Sequence, residues 1–334
     1  MAFRPALADV PDLIHSQKLP LLAIVGPTGS GKSELAVTIA EAFCGEIVNF
    51  DSIQVYRKLD IGSAKPSTIE QRGIPHHLLD VLEPNEELTA GAFAHRARTV
   101  LAELSEKGHL AVLVGGTGFY LRALLEGLSP APNRDEALRA RLTGRSPATL
   151  HRFLRRRDPT SASRIHPNDG QKLIRAIELT MLSGRPASEI QALARQALEG
   201  YSVIKIGLMP DRATLCARLN ERCARMFQRG LLGETAALLG AGTPPGTKSL
   251  QSLGYKQAVS HLTGGVTLGA AIEDCQAKTR QYAKRQMTWF RAEKDVYWVS
   301  GFGDDPVIQH QVIEHIRSSL NSVASPSVRS EAAL

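Results

Sequence analysis

Eight residues, "GPTGSGKS" (Gly26–Ser33), constrain this chain more than any other stretch. They fit the pattern G-x-x-x-x-G-K-[ST], and their flanks supply the context that pattern needs. "LPLLAIVG" (Leu19–Gly26) is a short apolar run ending at glycine, which suits a buried parallel strand. "KSELAVTIAEAF" follows with apolar residues at helical spacing. Strand, glycine-rich turn and helix in that order let backbone N–H groups turn inward around phosphate oxygens, with the positive end of the helix behind them. Lys32 adds a full charge, and the Ser33 hydroxyl is suited to ligating Mg²⁺. The expected phosphate-binding residues are therefore Gly26, Pro27, Thr28, Gly29, Ser30, Gly31, Lys32 and Ser33, with Ser33 as the metal ligand.

The rest of the chain extends the same pattern. "GEIVNFDS" reads as a second strand ending near Asp51, and "HLAVLVGGTG" as a third, with a helical stretch around "FAHRARTVLAELSEKG" before it. Strands alternating with helices predict an α/β fold: a P-loop NTPase-like parallel sheet flanked by helices. Two prolines in "LSPAPNRDE" mark a change of texture. From 131 to 200 the pattern is helical and arginine-rich, which predicts a helical insertion. "YSVIKIGLMP" returns to strand character, and C-terminal helices follow up to about residue 300. The domain reading is thus an arm (1–18, expected disordered), a catalytic core (19–130), the insertion (131–200), a return to the core (201–300) and a polar tail (301–334).

Composition sets outer limits. The 334 residues suffice for a sizeable core, and no apolar run approaches membrane-spanning length. The N-terminal stretch carries Asp9 and Asp12 and reads as neither a secretory signal nor a transit peptide. A cytoplasmic, monomeric protein is the expectation. Cys44, Cys216, Cys223 and Cys275 form no C-x-x-C pair, so neither a zinc site nor a redox motif is indicated. The net charge of +7 admits a polyanionic partner without requiring one.

A phosphate cradle does not specify a reaction. Hydrolytic P-loop proteins use a further acid at the end of an apolar strand. The strand "LAVLV" (Leu110–Val114) runs instead into "GGTGFY", with Thr117 where that acid would stand. The remaining early acid is Asp51. A cradle of diphosphate size, one carboxylate and one hydroxyl suit group transfer to an activated nucleophile better than hydrolysis. A small-molecule kinase is the alternative.

Seven blocks in order carry a resemblance: "GPTGSGKS", "DSIQVYRKLDIGSAKP", "PHHLLDV", "LVGGTGFYLRALLEGL", "RIHPND", "QSLGYK" and "TRQYAKRQMTWFR". In these the chain closely resembles the tRNA dimethylallyltransferases (tRNA isopentenyltransferases), in their short bacterial form. It departs from them at Ser63, commonly threonine, and at Phe119. The resemblance implies transfer of the dimethylallyl group of dimethylallyl diphosphate to N6 of the adenosine at tRNA position 37, just 3′ of the anticodon. An aromatic amine is a weak nucleophile that must lose a proton as it attacks, and Asp51 is the expected base. The loop, Lys32 and Mg²⁺ would neutralise the departing diphosphate. Thr117 corresponds to a family threonine contacting tRNA near the reaction centre. Arg218 and Arg222, one helical turn apart, are candidates for a cationic lid over the diphosphate, a salt-bridged helix face being the alternative.

The resemblance also implies contacts to the anticodon stem-loop. These involve Asp51, Ser52, Ile53 and Gln54; Arg139; Gln171, Lys172, Leu173, Ile174 and Arg175; and Gln251, Ser252, Leu253, Gly254, Tyr255 and Lys256. The target base must leave its stack to be reached. Arg155–Arg157 and the helix bearing Arg280, Lys284, Arg285 and Arg291 are candidates for phosphate contacts. His76 and His77 read as structural, and Trp289 and Phe290 as core. If the basic surfaces meet phosphates, tRNA affinity measured by filter binding falls steeply between low and moderate salt. A flat salt dependence contradicts this footprint.

Overall fold

In the computed structural model, which describes residues 18–324, six parallel strands form one sheet in the order β3-β2-β4-β1-β5-β6. Strand β1 (Leu19–Val25) leads through the glycine-rich loop into helix α1 (Lys32–Ala42). β2 (Gly45–Asn49), the short α2 (Thr68–Gln71) and the two-residue β3 (His76–His77) follow. Then come α3 (Ala90–Glu106), β4 (Leu110–Val114) and α4 (Gly118–Leu125). A helical segment of α5 (Glu136–Thr143), α6 (Pro147–Arg157), α7 (Pro159–Arg164), α8 (Gly170–Ser183) and α9 (Ala187–Ala192) interrupts the alternation. The chain rejoins the sheet with β5 (Tyr201–Leu208), then runs through α10 (Arg212–Gln228), α11 (Leu231–Gly240), α12 (Tyr255–Leu262), α13 (Leu268–Phe290), β6 (Val296–Val299) and α14 (Pro306–Ala324).

The central strands β2 and β4 are buried at every residue, and β1 from Leu21 onward, because a parallel sheet is covered on both faces. Ile24 pairs with Val114 on one side and with Ile206 on the other, so β1 ends at a fixed height between β4 and β5. The strand ends carrying Gly26, Asp51 and Gly115 therefore converge on one edge of the sheet, where ligands bind in open α/β folds.

Among the described residues two compact units emerge, divided at 124/125 and 198/199: the residues on either side of 125–198, and 125–198 itself. The second begins at Leu125 rather than at 131. Its own ends are tied together there: Leu198 N donates to Leu125 O at 2.9 Å, and Arg195 pairs with Glu126 at 3.2 Å. Its core comprises Leu150, Leu154, Leu173, Ile177 and Ile190. At its centre Glu178 is wholly buried and accepts from Arg139, Arg175 and the Asp135 amide. Burial alone would push this carboxyl up, but those donors hold it down at about 2.

The polar tail expected from 301 is corrected over its described part. Residues 306–324 form α14, with Ile308, Val312, Ile316 and Leu320 in the sheet's main core cluster. Spacing by four places these residues on one stripe, and the polar remainder masks it when the segment is averaged. Residues 325–334 of that tail, and 1–17 of the expected arm, lie outside the described residues. No helix among the described residues is long and apolar enough to cross a membrane. If α14 is integral to the core, Ile316→Ala costs about 3 kcal/mol in urea unfolding. An unchanged midpoint would make the helix an appendage.

Candidate active site

The loop after β1 is shaped for an anion. Gly31 sits at φ +85° in the left-handed region, and a Cβ there would come within 2.7 Å of Gly303 N and Asp304 Oδ1. Only glycine serves both demands. The amides of Gly29, Gly31, Lys32 and Ser33 have no protein acceptor among the described residues, and they stand at the head of α1. Lys32 Nζ donates to Pro27 O at 2.8 Å, which folds the ammonium back over the loop. Burial lowers its pKa to about 8, against the pull of Asp51, and Arg222 lowers it further. Ser33 is exposed in the first turn of α1, and its hydroxyl has no partner among the described residues.

Asp51 follows β2 and closes an Asx turn: its Oδ1 accepts from Ile53 N at 2.9 Å and from Gln54 N at 3.4 Å. Asn49 steadies the approach, accepting from Asp51 N and donating to Leu78 O. Oδ2 of Asp51 has no hydrogen-bond partner among the described residues and lies 3.4 Å from where a Cβ on Gly116 would stand. Thr117 Oγ1 accepts from Ser52 N at 3.0 Å, joining the ends of β2 and β4. The surrounding loop is locked from outside. Glu234 accepts from the amides of Asp60 and Ile61 and from the Tyr255 hydroxyl, and Lys65 donates to Tyr56 O, Asp60 and Asp80.

The structure separates the two candidate lid arginines. Arg222 Nη1 lies 3.5 Å from Thr28 Oγ1, beside the cradle, and its pKa is lowered by burial. Arg218 is instead in a bidentate pair with Asp304, both contacts 2.9 Å, with its guanidinium over Phe302. The salt-bridged alternative thus holds for Arg218, because the loop between β6 and α14 brings a carboxylate to it.

Of the residues expected at RNA, Leu173 is fully buried in the helical core and Gly254 and Tyr255 are buried in the first unit, so these three do not present a surface to RNA. Burial and Glu234 push the Tyr255 phenol up, and its hydroxyl is committed to Glu234. Ile174 packs against the helical core, Leu253 and Ser252 are half-buried, and Gln171, Lys172, Gln251 and Lys256 are exposed. Arg139 and Arg175 are both engaged by Glu178. Gln54 spends its amide on the carbonyls of Ser63 and Ala64. Arg155–Arg157, Lys284, Arg285 and Arg291 are exposed, while Arg280 is bound to Asn220 Oδ1. His77 and His109 both contact the buried Glu46 at 2.6 Å. Phe290 is buried, and Trp289 packs on Gly118 beneath the Arg122 guanidinium.

Sequence reading missed one side chain. Gln286 of α13 is buried, accepts from Thr28 N at 2.7 Å and donates to Gly116 O at 2.9 Å. It lies within the block "TRQYAKRQMTWFR", whose charged and aromatic residues drew attention away from the amide.

A glycine-rich loop at the head of α1, with a carboxylate at the next strand end of a parallel sheet, defines an α/β protein of P-loop NTPase-like fold. The description IPP transferase matches residues 54–293, and the chain belongs to that family. It is 52% identical over 305 residues to a tRNA dimethylallyltransferase of Solibacter usitatus, covering 90% of this chain and 99% of that one. The full-length tRNA isopentenylpyrophosphate transferase of Bacillus halodurans has a similar structure, with TM-score 0.70 and 36% identity over 92% of this chain and 98% of that one. A eukaryotic dimethylallyltransferase acting on tRNA aligns with TM-score 0.76 and 26% identity, over 94% of this chain and 81% of that one.

Lys32 generates a pH prediction. Its folded pKa, about 8, lies below the ordinary 10.5, so between those values the unfolded chain binds more protons and stability from this group rises with pH. An anion in the cradle reverses the penalty. At pH 9, binding of a diphosphate monoester takes up a proton in calorimetry across buffers of different ionisation enthalpy, and Lys32→Met abolishes the uptake. No uptake in the wild type contradicts the assignment.

Proposed function

We propose that the protein transfers the dimethylallyl group of dimethylallyl diphosphate to N6 of the adenosine at position 37 of tRNA, releasing diphosphate. The observation that carries this reading is the pairing at one sheet edge of an anion cradle with a carboxylate oxygen, Asp51 Oδ2, that has no hydrogen-bond partner among the described residues; the Asp51 charge offsets part of the lowering that burial imposes on the Lys32 pKa. N6 of the extruded adenine attacks C1 of the dimethylallyl group, the C1–O bond breaks, and its electron pair leaves on the diphosphate. The N6 proton passes to Asp51. The amides of Gly29, Gly31, Lys32 and Ser33, with the Lys32 ammonium and Arg222, take up the charge that grows on the leaving group. They are fixed before reaction, so little reorganisation is needed when it develops. Thr117 positions the acceptor side through its bond to Ser52.

The free Ser33 hydroxyl fits a Mg²⁺ ion, which keeps several waters and takes few protein ligands beside phosphate oxygens. Bound there, it would supply further charge neutralisation on the diphosphate.

On the RNA side, we assign phosphate contacts to exposed Lys284, Arg285 and Arg291 of the first unit, and, separately, to Arg155–Arg157, Gln171 and Lys172 of the helical unit.

Incubation with unmodified tRNA and labelled dimethylallyl diphosphate is expected to label the tRNA. Phosphorylation of a small metabolite from ATP without labelling would overturn the reading. Asp51→Asn lowers turnover about 100- to 10,000-fold while tRNA binding changes little. Unchanged turnover removes Asp51 as the base.

A further inference from the structure

We infer that Gln286 is a positioning residue that sets the separation between the leaving-group cradle and the acceptor base; the inference rests on the reaction proposed above. Its two amide atoms serve two different loops. Oε1 accepts from Thr28 N, inside the phosphate loop, at 2.7 Å. Nε2 donates to Gly116 O, in the turn after β4, at 2.9 Å. The second bond continues to the acceptor side: Thr117 follows Gly116, its hydroxyl holds Ser52 N, and Ser52 follows Asp51. One rigid amide thus joins the part that receives diphosphate to the part that receives the proton.

The surroundings fix this amide. Gln286 is buried, so both its polar ends require partners, and both have them. The neighbouring residues of α13 anchor its backbone: Phe290 is fully buried, and Trp289 packs on Gly118. There is no slack on the other side. A Cβ on Gly116 would stand 2.4 Å from Gln286 Nε2, too close to fit without displacing the amide, and 3.4 Å from Asp51 Oδ2, so the Gln286 amide and the Asp51 carboxylate flank the same glycine.

Transfer of a carbon group from oxygen to an amine depends on the line joining nucleophile, carbon and leaving oxygen. A displacement of about 1 Å along such a line costs on the order of 100-fold in rate. Binding of either substrate alone does not need that line. Gln286 is therefore expected to act on kcat and to leave the separate affinities nearly intact.

The test compares wild type, Gln286→Met, Gln286→Glu and Gly116→Ala in steady-state transfer, with tRNA affinity and thermal unfolding measured alongside. Gln286→Met keeps the length and loses both bonds, and is expected to lower kcat about 100-fold. KM for dimethylallyl diphosphate and the tRNA Kd should stay within about threefold of wild type. Gln286→Glu keeps the acceptor for Thr28 N and should recover part of the lost rate; if the methionine variant does not fold, this variant carries the comparison. Gly116→Ala should reproduce the kcat loss by displacing the amide. A wild-type kcat in the folded variants overturns the inference. So does a rise in KM or a lowered Tm with kcat unchanged, since either assigns Gln286 to the cradle or to stability alone. Failure of the wild type itself to label tRNA would instead sink the proposed reaction.

Discussion

The burial of β1 between β4 and β5 is the constraint on which the reacting end of the molecule depends. Leu21 through Val25 are fully buried, and each pairing fixes where the strand stops. The phosphate loop begins at that stop, and α1 can only leave in the direction the loop allows. The Lys32 ammonium is consequently held in a poorly hydrated place, where its charge is costly until an anion arrives. A stable strand produces an unstable charge, and that charge is what the cradle offers its ligand. Asp51 eases the cost only in part, because it lies at the end of a different strand.

Carboxylates gather donors at three other places in the molecule. Glu46 gathers His77 and His109 against the sheet, Glu178 gathers two arginines inside the helical unit, and Glu234 satisfies three loop amides and a phenol. Fewer of the chain's arginines are free than the composition suggests. Arg139, Arg175 and Arg218 are all spoken for by acids of the same chain. Counting arginines overstates the cationic area that meets a polyanion, and only those with free, exposed heads contribute.

Much of the fold was legible in the sequence because buried parallel strands are continuous apolar runs. β1, β2 and β4 announce themselves in this way. β3, with two histidines, does not, and α14 hides a four-residue apolar repeat in a polar average. The phosphate loop was legible because its chemistry is local: eight consecutive residues carry it. Asp51 and Thr117 stood out by their place at strand ends. Gln286 did not, because its partners lie 258 and 170 residues away and nothing near it in sequence implies them. Nor could spacing separate Arg218 from Arg222; what divides them is Asp304, far along the chain. Burial of Leu173 and Tyr255 was likewise hidden, since a motif shows which residues recur together and not which of them face inward.

Gly303 N donates to Ser30 O, so the phosphate loop leans on a residue made long after it. Thr28 is tied in the same way to Gln286. A nascent chain that has emerged through β4 already contains every residue of the cradle, yet neither of these supports. Both contacts form only once α13 and the turn after β6 are in place. Such closure over nearly the whole chain is entropically slow, and it makes competence a late event in folding. While it is still on the ribosome, surrounded by the RNA that translation uses, the growing polypeptide has the residues of the glycine-rich loop without these two contacts.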